Sequence, residues 1–254
     1  MKLRILGCGT SSGVPRIGND WGDCDPNEPR NRRTRASILV ESGIQRILVD
    51  TTPDMRQQLL DADRGILDAI LWTHDHADHC HGIDDVRQIF HARRAPVPGY
   101  AVAETMALLQ QRFSYVFEGR DGYPPTVETH VLRKDMQLGD IRVRYVVQPH
   151  GSIFSAGFRF DCAGKSVGYS TDFHEVTSDM IDMFAAVDIW VVDALRERPH
   201  PTHTHLAQTL EAVATCRPGR AILTHMDHSM DYARLCASLP DGVEPGYDGM
   251  EVQL

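Results

Sequence analysis

The sequence predicts an α/β protein arranged as a four-layer αββα sandwich, two mixed sheets packed face to face and flanked by helices. Three observations lead there. Short runs rich in Val, Ile and Leu recur at residues 3–6, 36–41, 46–49, 69–72, 142–147, 166–169, 189–192 and 220–223. Several are apolar at successive positions, as strands covered on both faces must be. Helical periodicity appears between some of them, at residues 54–62, 104–111, 176–184 and 207–216, where apolar side chains return every three or four positions. The order is strand-rich, then alternating, then strand-rich, then alternating again. Two covered sheets explain that order better than one doubly wound sheet.

The chain has 254 residues, enough for one large core, and no internal repeat, low-complexity tract or Gly/Ser linker divides it. The Gly/Pro-rich break at residues 119–125 reads as a loop within a single domain spanning 1–254. No apolar stretch reaches the roughly 18 residues of a membrane span. The opening Met1-Lys2-Leu3-Arg4-Ile5-Leu6-Gly7 has too short an apolar run for a signal peptide and reads as a first strand, so the expected location is the cytoplasm. Six cysteines, Cys8, Cys24, Cys80, Cys162, Cys216 and Cys236, are scattered without a Cys-x-x-Cys pair; free thiols are the expectation. A formal net charge of −9 argues against a broad basic surface for long nucleic acid, because such binding depends on neutralising phosphates. The 13 histidines are many for this length, and they direct attention to metal chemistry.

Six of the positions that matter most are consecutive: His74-Asp75-His76-Ala77-Asp78-His79. An apolar strand at residues 69–72 runs straight into them. Where the chain stays extended, His74 and His76 point to the same side and Asp75 points away. If a helix starts near Asp78, its first turn carries Asp78 and His79 and aims them at a second point close by. Two imidazoles for one cation, and a carboxylate with an imidazole for its neighbour, make a dinuclear site. Further ligand-type residues follow other strand-like runs: His150 after 142–147, Asp172 after 166–169 and His225 after 220–223. Each alone reads as a polar strand end; together they fit convergence on one edge of a sandwich. A carboxylate binds two cations through its two oxygens, so Asp172 is the natural bridge.

With these residues in place the sequence resembles the metallo-β-lactamase superfamily, whose signature is His-x-His-x-Asp-His followed by a distant His, a bridging Asp and a last His. The resemblance covers essentially the whole chain. It implies that His74, His76 and His150 hold one metal, that Asp78, His79 and His225 hold the other, and that Asp172 bridges them. It also implies a hydroxide shared by the two cations as nucleophile, its pKa lowered by both. Two divalent cations would make the pocket locally positive despite the acidic chain. Mixed imidazole and carboxylate ligation suits zinc, manganese or iron.

Four further segments resemble one branch, the phosphodiesterases related to ribonuclease Z and to the cyclic-phosphate phosphodiesterase of the carbon–phosphorus lyase pathway. They are Gly7-Cys8-Gly9-Thr10-Ser11-Ser12-Gly13-Val14-Pro15, Asn31-Arg32-Arg33-Thr34-Arg35-Ala36-Ser37, Thr202-His203-Thr204-His205-Leu206 and Gly246-Tyr247-Asp248-Gly249-Met250. The resemblance implies a histidine that protonates the leaving oxygen or steadies the phosphoryl group. By position this is His203, with His205 as competitor. A homodimer is common in that branch. One departure matters: the carbon–phosphorus enzyme carries a Cys-rich structural zinc segment, whereas residues 20–26 here keep only Cys24. One cysteine cannot close a tetrahedral site, so no third zinc is expected.

Arg32, Arg33 and Arg35 are candidates for phosphate contact through their guanidiniums; a solvated basic turn is the alternative. The opening Gly-rich loop either approaches phosphate with its N–H groups or makes a tight crossing that only glycine permits. His81, His91, His130, His174 and His200 read as surface or packing residues, and His228 as a neighbour of the site. The expected activity is hydrolysis of a phosphodiester in a small nucleotide or cyclic phosphate. The same core supports hydrolysis of a thioester, lactone or β-lactam, and a metal or nucleotide sensor is the non-enzymatic alternative.

Overall fold

The computed structural model describes residues 1–254. The first sheet begins with β1 (Lys2–Gly7), β2 (Ser37–Glu41) and β3 (Arg46–Val49), which pair antiparallel. Helix α1 (Met55–Asp61) then carries the chain to β4 (Ala69–Leu71), which lies parallel to β3. Helices α2 (Ala77–Cys80) and α3 (Val86–Arg93) lead to β5 (Val97–Ala101), and α4 (Ala103–Arg112) and α5 (Ser114–Glu118) lead to β6 (Val127–Val131). Both of these strands continue the parallel ladder.

The second sheet repeats the plan. Four strands, β7 (Asp135–Leu138), β8 (Ile141–His150), β9 (Ile153–Cys162) and β10 (Lys165–Ser170), form an antiparallel meander. Helices α6 (Ser178–Phe184), α7 (Leu206–Cys216) and α8 (Tyr232–Ser238) alternate with β11 (Ile189–Asp193), β12 (Arg220–Thr224) and β13 (Val243–Pro245), all parallel to β10. The last strand, β14 (Glu251–Gln253), returns to the first sheet and pairs antiparallel with β1. Two seven-stranded mixed sheets result, the layered arrangement that the order of apolar runs predicts.

The unbroken apolar runs have a packing reason. Strand side chains alternate between faces. Ile38, Val40, Ile47, Val49, Ala69 and Leu71 therefore join the core shared with the second sheet. Leu39, Leu48 and Ile70, with Trp72 just beyond β4, join a separate core under the helices of the first half. Strands buried on both faces leave polar groups only one place to go, the strand ends, and the parallel strands deliver those ends to one edge. Some elements have no clear sequence signal. Pro98 and Gly99 interrupt β5, yet Gly99 is required there, because an added Cβ would stand 2.6 Å from the Trp72 ring. No helix is long and apolar enough to cross a membrane. The six cysteines are free.

Candidate metal centre

The ligand run sits at the carboxyl end of β4. His76 remains extended (φ −61°, ψ 150°) and caps α2, whose single turn holds Asp78 and His79. Extended chain followed by a helical turn folds the run around a point. The His74 ring centroid is 4.5 Å from that of His76 and 4.3 Å from that of His79. Asp75 points outward to an ion pair with Arg112 of α4, 3.1 Å.

The second half contributes from three further strand ends. His150 closes β8, and its Nε2 lies 3.3 Å from His76 Nδ1. Asp172 follows β10 and divides its oxygens between two groups of ligands. Oδ2 is 3.7 Å from His74 Nε2 and 3.6 Å from His150 Nε2. Oδ1 is 3.3 Å from His79 Nε2 and 3.5 Å from His225 Nε2. Asp78 Oδ2 joins the second group, 3.2 Å from His79 Nε2 and 3.4 Å from His225 Nε2. Two clusters result, His74–His76–His150–Asp172 and Asp78–His79–His225–Asp172, each with ligand atoms within 4.8 Å of one another. Asp172 (φ 54°) and His225 (φ 57°) hold left-handed backbone as the chain leaves its strand. Such a conformation costs on the order of 1 kcal/mol or more for a residue with a side chain and is typical of functional sites.

Three of the imidazoles, those of His74, His79 and His150, are held by their far nitrogens. His79 Nδ1 donates to Asp50 Oδ2 at 2.8 Å, and His150 Nδ1 donates to the Thr202 carbonyl at 2.8 Å. Thr73 bridges the Asp50 carboxylate and His74: its N–H and hydroxyl reach Asp50 at 2.8 and 2.9 Å, and its oxygen stands 2.9 Å from His74 Nδ1. With Nδ1 so engaged, each ring turns Nε2 toward the cluster, the tautomer a metal ligand needs. His74 Nε2 and His79 Nε2 are buried with no hydrogen-bond partner in the chain. A buried ring nitrogen left unpartnered costs about 1–3 kcal/mol, and a divalent cation satisfies one that has given up its proton. The donor set fits two such ions.

The two clusters differ electrostatically. Burial keeps His74 and His150 below the usual imidazole range. Burial also opposes charge on His79 and His225, but the carboxylates outweigh it. Asp172, Asp78 and Asp50 raise His79 well above that range, and Asp172 and Asp78 push His225 up to about 9. Asp172 is itself buried, yet His225, His79 and His203 hold it well below the carboxylate range.

A cavity of about 300 Å³ opens over the clusters, its walls including Ser11, Ser152, Thr202 and His203. His203, not its competitor His205, reaches the site. Its Nδ1 donates to Asp193 Oδ2 at 3.0 Å, and its Nε2 lies 3.8 Å from Asp172 Oδ2. His205 instead precedes α7 as its cap residue. The three arginines are elsewhere: none lines the cavity. Arg33 is 2% exposed and spends its guanidinium on the carbonyls of Met230 (2.6 Å) and Asp227 (3.3 Å). This corrects the expectation of a phosphate contact there. Burial and the two carbonyl contacts make Arg33 a clamp on the C-terminal loop. Arg32 lies over the Trp21 ring and Arg35 pairs with Asp54 at 3.1 Å. His228 faces Asp20 at 3.6 Å, away from both clusters. Asp50 and Asp193 are the site residues the sequence reading passes over. Their one signal is shared with the ligands, a position at the end of an apolar strand. A larger cavity of about 580 Å³, with Arg87, Tyr115 and Tyr123 in its wall, contains none of these groups.

Comparison with known proteins agrees with this geometry. The model of the beta-lactamase superfamily domain matches residues 45–226. An octanoyltransferase of Porphyromonas gingivalis (strain ATCC BAA-308 / W83) is 31% identical over 259 residues, covering 99% of this chain and 51% of that protein, so the chain spans about half that relative's length. Among solved structures, a diphosphatase from the PhnP family is 34% identical with a TM-score of 0.90, over 99% of this chain and 96% of the other. The short form of human tRNase Z shares the fold, with a TM-score of 0.73 at 17% identity over 100% of this chain and 99% of the other. The match across residues 45–226, with the fold and the paired clusters, places the chain in the beta-lactamase superfamily.

Proposed function

We propose that the chain is a two-metal phosphodiesterase acting on a small nucleotide or a cyclic phosphate. One observation carries the reading: the Asp172 carboxylate addresses a separate imidazole cluster with each oxygen, while His203 faces the same cavity with its Nε2 free. His74, His76, His150 and Asp172 would hold one divalent ion, and Asp78, His79, His225 and Asp172 the other. When bound, such a pair supplies a water acidic enough to ionise near neutral pH and positive charge for the phosphoryl oxygens.

The chain's own groups do the rest. Asp193 accepts from His203 Nδ1 and from the Asp172 N–H (3.1 Å) through the same oxygen. It thereby fixes the donor nitrogen of His203 relative to the bridging carboxylate. His203 can then deliver a proton from Nε2 to the leaving oxygen, a task for which imidazole suits neutral pH. A cavity of about 300 Å³ is at the small end for ligand pockets, in keeping with a small substrate. The name of the Porphyromonas relative describes acyl transfer, but this chain spans only half of that protein. The PhnP-family diphosphatase matches end to end and favours phosphorus.

The test is turnover of a chromogenic phosphodiester against a thioester and a lactone, with metal content measured alongside. Turnover of the carboxyl substrates alone overturns the reading. Asp193→Asn sharpens it: kcat falls about 100-fold, the lower end for loss of a positioned acid. The fall is confined to diesters with poor leaving groups, since nitrophenolate departs without a proton.

A further inference from the structure

Displacement of the arginines from the cavity leaves the substrate's phosphate without an arginine or lysine to hold it, and the walls show what stands there instead. Two of the candidates are already engaged. The Thr202 N–H and hydroxyl meet His200 Nδ1 at 3.3 and 3.2 Å, and the Gly151 N–H meets His174 Nδ1 at 3.1 Å. Two wall hydroxyls remain, that of Ser152 on the exposed β8–β9 turn and that of Ser11, exposed, at the tip of the turn closed by the Gly13 N–H to the Thr10 carbonyl, 2.8 Å. Neither the Ser11 hydroxyl nor its N–H has a partner within the chain, whereas Gly9, Thr10, Gly13 and Val14 all donate to backbone carbonyls.

The turn is held in place from both flanks. The Gly9 N–H bonds the Thr34 carbonyl at 2.8 Å, and the Val14 N–H bonds the Arg33 carbonyl at 2.9 Å. On the other flank the Thr10 N–H reaches the Met226 carbonyl at 3.2 Å, and the Met226 N–H returns to the Cys8 carbonyl at 2.9 Å. Met226 directly follows the ligand-type residue His225. The glycines make this approach feasible. A Cβ on Gly9 would stand 2.9 Å from both Arg33 Cβ and the Thr34 carbonyl, and one on Gly13, which holds φ +65°, would stand 3.1 Å from the Arg33 carbonyl. Tight crossing and presentation of donors are therefore two aspects of one turn, and the buried Arg33 serves it from beneath.

We infer that Ser11, through its hydroxyl and N–H, is the phosphate-positioning contact of the cavity, holding a non-bridging phosphoryl oxygen in the space that His203 also lines. The inference rests on the phosphodiester reading for its substrate but not for its ligand, since any phosphoryl oxygen in the cavity meets the same donors. A donor fixed before binding loses little freedom on use and contributes binding in substrate and transition state alike. Its loss therefore acts on KM.

The experiment uses the metal-loaded protein with Ser11→Ala and Ser11→Thr, measuring diester kinetics, binding of inorganic phosphate, and metal content. Loss of one hydrogen bond predicts that Ser11→Ala raises both KM and the phosphate dissociation constant about fivefold. With kcat and metal content held, Ser11→Thr restores both constants. Unchanged phosphate binding in Ser11→Ala overturns the inference, as does a fall in kcat alone or a loss of metal. If wild-type protein turns over no diester yet binds phosphate in a Ser11-dependent way, the phosphodiester reading fails and the contact stands. No phosphate binding by the wild-type protein overturns the contact itself.

Discussion

The two ligand clusters take adjacent residues from the same run and share one carboxylate, yet their imidazoles shift in opposite directions. The first surrounds Asp172 Oδ2 with His74, His76 and His150, and burial keeps His74 and His150 neutral. The second surrounds Asp172 Oδ1 with Asp78, His79 and His225. There the carboxylates raise both imidazoles. Coordination is nearly symmetrical; protonation is not. A cation entering the first position meets ready lone pairs, whereas one entering the second replaces protons that already answer the carboxylates. The comparison teaches that one motif can build two positions with different affinities and different pH dependence.

Asp172→Asn breaks the comparison at its shared member. An amide offers one neutral oxygen where the carboxylate offers two charged ones, so one position loses its oxygen and the other keeps only a weaker, uncharged one. Metal content is expected to fall from two to one or fewer per chain by elemental analysis. Loss of about 4 kcal/mol of transition-state stabilisation lowers kcat/KM about a thousandfold. Two retained metals with near-native activity would show that the clusters do not depend on the bridge.

Asp50→Ala tests whether the clusters can be separated. Asp50 grips His79 directly but reaches His74 only through the Thr73 hydroxyl. Removing a carboxylate that orients a metal-bound histidine typically costs about 10–100-fold in affinity. The expected result is a loss of that size at one position in a metal titration, with a smaller change at the other. Equal losses at both would make Asp50 a brace for the whole run and erase the distinction.

These differences mark the boundary of what the sequence discloses. Four ligand-type residues within six positions are legible because local geometry, extended chain into a helical turn, suffices to make them converge. His150, Asp172 and His225 are legible only through their places after apolar strands, since convergence depends on the whole sandwich. Asp50 and Asp193 occupy the same kind of place, but their partners His79 and His203 lie 29 and 10 residues away, and no spacing rule joins them. Arg32, Arg33 and Arg35 are equivalent in sequence. What distinguishes Arg33 is a contact with a loop 194 and 197 residues further along, which only tertiary structure supplies. Likewise the opposing shifts of His74 and His79 come from burial at His74 and from Asp172, Asp78 and Asp50 around His79, of which only Asp78 is a neighbour in the chain.

Proton release on metal binding sharpens the comparison with the smallest expected effect. The sign follows from the shifts. His225, pushed up to about 9, and His79, raised well above the imidazole range, carry protons at pH 7 in the metal-free chain. Imidazole must be neutral to bind a cation, so filling the second position releases roughly two protons. His74 and His150 lie below their ordinary range and are already neutral at that pH, so the first position releases less than one. Calorimetric titration in buffers of different ionisation enthalpy counts the protons for each step. Affinity at the second position should climb as pH rises from 7, less steeply once His225 loses its proton near 9, while affinity at the first changes little. Equal proton counts for the two steps would mean that the clusters share their protons as one unit, and the asymmetry would then belong to the metal-free chain alone.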